Sequence, residues 1–570
     1  MRTIDPLMQV PLKSFSSSMH PTIQPNQYVA LRLPSDQLKV QQIVQNNIIS
    51  LGKYGAFHAD QILGRPFHLT FEIINGEELR IVPAAELHAH ALIQQMETPS
   101  ASPGDEGDIE HQRDGLLDDN HTNQIIIDDP TSQRLTVAEI EALKSDGSGN
   151  SKDVFAKVIG AHSTSEERTA FSLAKYTLRK NRKYLRRFCV LPLDVPTLTD
   201  WLMNERDFGK VMELRNDVLG LIGCWANIYH ADGSHSEIRP SGRYLLVDDT
   251  GGLLVAAMAE RMGILYAEGD NNDTAESNHP YTEDQGSESP DHSRRGDRDI
   301  PSMSAISNTI TLLHSNSQPN LALLKYFDYD VNTPSPKHPL FTHLKTLSWL
   351  QLLSPSEDPA YTEPDTATPE TLATWKSSKR SAYYRKRRRW MRIKSVVDST
   401  RQGGFHGLIL ATLTSPGSIL NHAVPLLAGA AQVVVYSPYL EPLAELADLY
   451  STARRTAFLN TPEEQRVVPS TDFPVDPTLL LAPSVQTARL RRWQVLPGRT
   501  HPLMMGKGGA EGYIFVATRV LPAQEKVTAR GRVGGKRRKV ENLADPLDVV
   551  GAAIEAQAYS EETRPSVNLA

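Results

Sequence analysis

The stretch from Gly242 to Glu268, GRYLLVDDTGGLLVAAMAERMGILYAE, constrains the fold more than any other part of the chain. Arg243 to Asp249 is an apolar run ending in two acids, Thr250-Gly251-Gly252 is a turn, Leu253 to Met262 is made of helix formers, and Ile264 to Tyr266 is apolar again. That order predicts strand, turn, helix and second strand, the opening unit of a doubly wound parallel sheet. A turn that holds a ligand needs spaced glycines, so that backbone N–H groups can approach it at the helix N-terminus. Here the spaced pattern has contracted to one Gly-Gly pair.

At 570 residues the chain has room for two domains and long linkers. No apolar run reaches the roughly 18 residues of a membrane span, and the N-terminal MRTIDPLMQVPLKSF has no continuous apolar segment of a secretory signal, so a soluble chain without a membrane partner is expected. The only cysteines, Cys189 and Cys224, argue against a disulfide framework and suit a reducing compartment such as cytosol or nucleus. The net charge of −7 hides segregation: acids concentrate in Glu97 to Asp129 and Gly269 to Asp299, bases in three clusters elsewhere.

Residues 23–95 carry short alternating runs broken by turn residues every eight to twelve positions, with Asn75-Gly76 a two-residue hairpin signal. An antiparallel, barrel-like β domain is therefore expected over 1–95. The acidic stretch 96–135 is too poor in apolar groups to offset ordering entropy and is expected to be a disordered insertion. Residues 136–235 read as a helical, basic connecting region that begins with a capping box, Thr136 to Glu139. Residues 236–522 read as an α/β, Rossmann-like domain of the methyltransferase type, with disordered inserts near 269–300 and 354–380. It would be closed by two long strands, Val485 to Leu496 and Gly512 to Val520, and followed by a disordered tail over 523–570.

Asp248, Asp249, Thr250, Gly251 and Gly252, with Glu268 about 20 residues on, have the placement of a cofactor turn and a ribose-binding acid for S-adenosylmethionine or a nucleotide. The plain alternative is a strand-to-helix turn that only needs small residues. A base-methylating enzyme of this fold also needs a polar or acidic group at the end of the fourth strand, and the sequence there, Leu408 to Pro416, offers threonine and serine but no aspartate. The turn is degenerate and the acid is missing, so no catalytic residue is assigned. No metal site is expected either: His88 and His90 have no further ligands nearby.

The first basic cluster is Lys175, Arg179, Lys180, Arg182, Lys183, Arg186 and Arg187, interleaved with Tyr176 and Tyr184 and free of acids. At helical spacing several of these share a face that could follow phosphates while the tyrosines stack or hydrogen bond. The second, Arg385, Lys386, Arg387, Arg388 and Arg389, preceded by Lys379-Arg380 and Tyr383-Tyr384, has the composition of an RNA-gripping arm, a nuclear localisation signal, or both. The third, Lys526 to Lys539, including the dense run Lys536 to Lys539, reads first as a localisation signal, and the nucleus is the expected compartment.

Leu51-Gly-Lys-Tyr-Gly55, Ile62 to Pro66, Leu69 to Ile73, Lys175 to Lys180, Met212 to Arg215, Leu245 to Asp249, Met258 to Met262, Trp493 to Pro497 and Arg499 to Pro502 resemble, in order, the non-catalytic subunit of the eukaryotic tRNA adenine-N1 methyltransferase. The resemblance implies a β domain followed by a cofactor-free methyltransferase-type domain that binds tRNA. It further implies a heterotetramer of two heterodimers with a homologous catalytic subunit, which carries S-adenosylmethionine and methylates N1 of the T-loop adenosine 58. Two other readings stay open from the residues alone: an active S-adenosylmethionine-dependent RNA methyltransferase, and an RNA-binding scaffold in translation initiation.

Overall fold

The computed structural model describes residues 21–74, 77–87, 182–230, 242–266, 308–488, 490–496, 499–503 and 509–521, with short pieces at 134–136, 138–139, 157–158, 160–161, 175–176 and 179–180. The insertion expected at 96–135, apart from its last two residues, the insert at 269–300 and the tail at 523–570 lie outside these.

The N-terminal strands are β1 (Tyr28–Arg32), β2 (Leu38–Gln42), β3 (Ile48–Ser50), β4 (Ala56–His58), β5 (Thr70–Ile74) and β6 (Glu78–Ile81). The expected antiparallel sheet is present, but its middle strand is β7 (Arg187–Pro192), giving the order β2-β1-β7-β5-β6, while β3 and β4 pair separately. Phe188 to Pro192, expected inside a connecting region, thus belongs to the β domain. Alternation explains it: Phe188 and Val190 face a core with Val29, Leu31, Phe57, Phe71 and Ile73, where Phe188 stacks on Phe57 at 4.7 Å and Phe71 at 5.7 Å. β5 and β6 form the hairpin expected around Asn75-Gly76, two residues outside the described set. The capping box also forms, Thr136 N–H donating to Glu139 Oε2 at 2.8 Å and Glu139 N–H to Thr136 Oγ1 at 3.3 Å.

Two helices, α1 (Val195–Glu205) and α2 (Asn216–Trp225), lead to the second sheet. Asp194 caps α1 by accepting from Thr197 N–H at 2.7 Å, and Pro196 fits its first turn. Leu198 and Trp201 are buried between the two sheets, in one core with Ala30 and Leu191.

The second sheet contains β8 (Arg243–Asp248), β9 (Thr309–His314), β10 (Leu344–Ser348), β11 (Phe405–Ala411), β12 (Leu427–Ser437), β13 (Leu480–Thr487) and, after the small hairpin β14 (Trp493–Leu496) and β15 (Arg499–Pro502), β16 (Tyr513–Arg519). Its order is β10-β9-β8-β11-β12-β16-β13, parallel from β10 to β12, with β16 antiparallel to both neighbours. This is the Rossmann-like arrangement expected, closed by an antiparallel strand. Tyr244, Leu246, Ile409 and Val434 face one core with α2 and α3 (Leu253–Met262); Leu245, Val247, Leu408 and Val433 face the other, with α4 (Ser377–Arg401), α5 (Pro416–Ala423) and α6 (Glu441–Leu449) contributing.

Three expectations are corrected. Ile264 to Tyr266 is not a strand: Gly263, at φ +74°, ends α3 in a left-handed cap, and the next strand is β9. Val485 to Leu496 is not one long strand: β13 ends at Thr487, and Trp493–Leu496 is a separate strand paired with β15 outside the main sheet. Residues 354–380, expected as a disordered insert, carry helical turns at Pro355–Glu357 and Pro369–Thr374 and the start of α4. Polar composition misled there, because the segment folds by packing against α4 and has no core of its own.

Candidate functional site

The chain order reverses between β8 and β11, so the crevice where such sheets bind ligands lies beyond Asp248 and Ala411. Asp248, at the tip of β8, is buried and turned into the helix start. Its Oδ1 accepts from Thr250 N–H at 2.7 Å and the Thr250 hydroxyl at 2.5 Å, and its Oδ2 from Val255 N–H at 3.1 Å. Thr250 Oγ1 accepts from Leu254 N–H at 3.1 Å. Burial pushes the Asp248 carboxyl above its usual range, and these bonds pull it back in part. The Leu254 and Val255 amides in the first turn of α3 are therefore occupied by the chain's own side chains.

The glycines serve another segment of the chain. A Cβ on Gly252, at φ +95°, would stand 3.2 Å from Leu321 Cα, and Gly251 O accepts from Leu323 N–H at 3.1 Å. The 3-10 segment Ala322–Phe327, with Leu321 as its N-cap, lies across the turn, and Leu321, Leu324 and Phe327 are buried. His338 pins it from behind: one ring nitrogen meets Phe327 O at 3.0 Å, and Nδ1 accepts from Leu340 N–H at 3.2 Å. A cleft of about 900 Å³ remains beside the turn, lined by Trp201, Arg206, Phe208, Thr250, Asn320 and Tyr326 among others. β9 ends in His314 rather than a carboxylate, and Glu268 lies outside the described residues.

At the tip of β11 stands Thr412, whose role no local pattern announces. Asp249 Oδ2 accepts from the Thr412 hydroxyl at 2.7 Å and from Leu413 N–H at 2.9 Å, while Asp249 N–H donates to Ala411 O at 2.8 Å. The two strand tips are bonded to each other across the crevice.

The first basic cluster divides. Lys175, Arg179, Arg182 and Lys183 are exposed, and Lys180 is half-buried with its ammonium 4.9 Å from the Tyr176 ring centre. Arg182 pairs with Asp36 at 2.6 Å on the surface. Tyr176 and Tyr184, expected to stack on a ligand, are buried and anchor the segment instead. Arg186 is half-buried, its carbonyl accepting from Ile73 N–H at 3.0 Å. Arg187, expected on the RNA-facing surface, is turned inward: it opens β7 opposite Glu72, meets Glu86 at 2.5 Å and Glu72 at 3.4 Å, and shares these acids with Arg80. Cross-strand register decides this, and nothing in local spacing announces it.

The second cluster lies on α4. Arg385, Lys386, Arg388 and Arg389 are exposed and Arg387 is half-buried, bonding the Tyr383 hydroxyl at 3.2 Å. Among the described residues no group of three His, Cys, Asp or Glu could hold a metal ion, and no helix is long and apolar enough to cross a membrane. His88 and His90 fall outside that set.

The Gcd10p family model matches residues 22–376. A tRNA (adenine(58)-N(1))-methyltransferase non-catalytic subunit from Aspergillus oryzae is 49% identical, covering 95% of this chain and 100% of its own length. The protein of the same description from Debaryomyces hansenii is 32% identical, with 91% and 90% covered. Among solved structures, the tRNA (m1A58) methyltransferase TrmI from Aquifex aeolicus aligns with 88% of this chain and 100% of its own at 8% identity, with a TM-score of 0.35. With a family model spanning more than half of its length and a relative of this identity along nearly all of it, the chain belongs to the Gcd10p family.

Proposed function

We propose that this chain is the non-catalytic, tRNA-binding subunit of a methyltransferase acting on N1 of adenosine 58 in tRNA. In this reading a homologous catalytic subunit carries S-adenosylmethionine and the reacting groups, two such heterodimers form a heterotetramer, and the assembly works in the nucleus. The description borne by the relatives supports it. The observation that carries it is the closed switch point: Leu321 to Leu323 cover the Gly251-Gly252 turn, and Asp249 joins the tips of β8 and β11 through Thr412.

In this reading the turn does not hold S-adenosylmethionine: the Thr250, Leu254 and Val255 amides bond the chain's own side chains, and Gly252 packs on the backbone at Leu321. What remains is a rigid sheet that supports another chain. The hairpin of β14 and β15, with Trp493 57% and Val495 73% exposed, and the edge strand β13 are the surface we assign to the catalytic subunit. Lys175, Arg179, Lys180, Arg182 and Lys183, with Arg385 to Arg389, supply the cations for tRNA phosphates.

The test is reconstitution of the full chain with and without its catalytic partner. Calorimetry of the chain alone should show no saturable S-adenosylmethionine binding, and methyl transfer to tRNA should need both chains. Cofactor binding together with methyl transfer by this chain alone would overturn the reading.

A further inference from the structure

Helix α4 is held in an unusual way. Its C-terminal turns are built into the sheet's core through Val396, Val397 and Thr400, and Arg243 bonds Ser399 O at 2.8 Å and Gly403 O at 2.7 Å just behind them. Its N-terminal part, Ser377 to Lys394, touches the body mainly along one stripe: Tyr383, Arg387, Trp390 and Ile393 are half-buried, whereas most of the intervening positions are exposed. That stripe rests on the 354–376 segment, which acts as a strut. Trp390 Nε1 donates to Tyr361 O at 2.9 Å, the Tyr361 hydroxyl to Asp398 at 2.8 Å, Ala367 N–H to the Tyr383 hydroxyl at 3.2 Å, and Trp375 meets the Tyr383 ring edge-on.

The outer face is cationic. Arg385, Lys386, Arg388 and Arg389 have no acidic partner among the described residues. Arg392 is spoken for, its guanidinium on the Phe341 ring and bonding Phe341 O at 3.0 Å. Carrying four such charges within two turns repels unless an anion neutralises them. The side chains that could stack on bases, Trp375, Tyr383 and Trp390, are spent on the strut, leaving only Tyr384 toward solvent.

We propose that Ser377 to Lys394 is a braced arm that grips the phosphate backbone of a base-paired RNA stem without reading its sequence. A helix with cations outward and aromatics inward senses charge density, which is about twofold higher along a duplex than along one strand. Recognition of single-stranded RNA instead uses exposed aromatic platforms. The inference rests on the reading of the chain as an RNA-binding subunit and adds which part of the RNA this surface holds. The strut is part of the device, because it fixes the arm before RNA arrives and removes an ordering cost from binding.

The test uses the full chain in complex with its partner and the triple variant Arg385→Gln, Arg388→Gln, Arg389→Gln, with an RNA hairpin stem, a single strand of the same length and tRNA as probes. For the stem and for tRNA, affinity should fall by about tenfold or more near physiological salt, and the slope of log K against log salt should shrink by about 2.7, while the unfolding midpoint stays fixed. Binding of the single strand should change far less. Trp390→Leu, which keeps every cation and releases the strut, should weaken stem binding with the slope nearly intact. An unchanged slope on the stem, or an equal loss on the single strand, overturns the proposal. So does lost nuclear accumulation with RNA affinity intact, which would mark the run as an import signal. A complex that binds no tRNA at any salt would sink the parent reading instead.

Discussion

The Thr412 hydroxyl donates to Asp249 Oδ2 at 2.7 Å, joining the ends of the two strands that flank the switch point. A base methyltransferase needs this gap open, with a ligand over the first strand and an acid from the second. Thr412→Val keeps the shape and removes the donor, leaving Asp249 with the Leu413 amide alone. The expected cost is about 1–3 kcal/mol, measured by denaturant unfolding, with no gain of methyl transfer. Thr412→Asp should cost at least as much, because the new carboxylate faces Asp249.

Gly252 sits at φ +95° with Leu321 Cα where a side chain would go. Gly252→Ala combines left-handed backbone strain with a contact to backbone that cannot swing aside. A loss of about 1–3 kcal/mol is expected in the same assay.

Arg187 and the exposed cations near it should separate cleanly. Arg187→Ala leaves Glu72 and Glu86 to share Arg80, and a loss of about 3–5 kcal/mol is expected for removing one partner of a buried ion cluster. Arg182→Ala breaks only a surface pair with Asp36 and should cost under about 1 kcal/mol. Joint reversal of Lys175, Arg179 and Lys183 to Glu should weaken tRNA binding and flatten its salt dependence with the unfolding midpoint held.

His338 gives a pH dependence with a definite sign. Burial lowers its imidazole below the usual 6.5, so the unfolded chain takes up the proton first and stability falls as pH drops through 6.5 toward the folded value. His314 is lowered by burial as well and adds in the same direction. Protonated His338 can no longer accept from Leu340 N–H, so the segment over the turn is the part that loosens. The melting temperature should fall between about pH 7 and about pH 5, and His338→Gln should flatten part of that fall.

The strand-turn-helix of Arg243 to Met262 and the parallel strands β11 and β12 were legible because a buried parallel strand is a continuous apolar run and α3 follows its glycine turn directly. β7 was not, since Phe188 to Pro192 is placed by partners on β1 and β5 far back in the chain. The strut at 354–376 failed for a related reason: its order comes from Tyr361, Trp375 and Ala367 meeting a helix that starts only at Ser377. The closed crevice was half readable. Missing glycines and a missing acid show in the letters, whereas the Asp249 to Thr412 bond joins residues 163 positions apart.

The insertion of β7 between β1 and β5 has a consequence for how the molecule is made. Until residue 192 leaves the ribosome, the described strands before it form only three separate pairs, β1 with β2, β3 with β4 and β5 with β6, and the first and last each present the ladder edge that β7 later fills, without the ring of Phe188. Nascent chains stopped before Arg187 would therefore recruit holding chaperones or stick to one another, and those released after Pro192 would not.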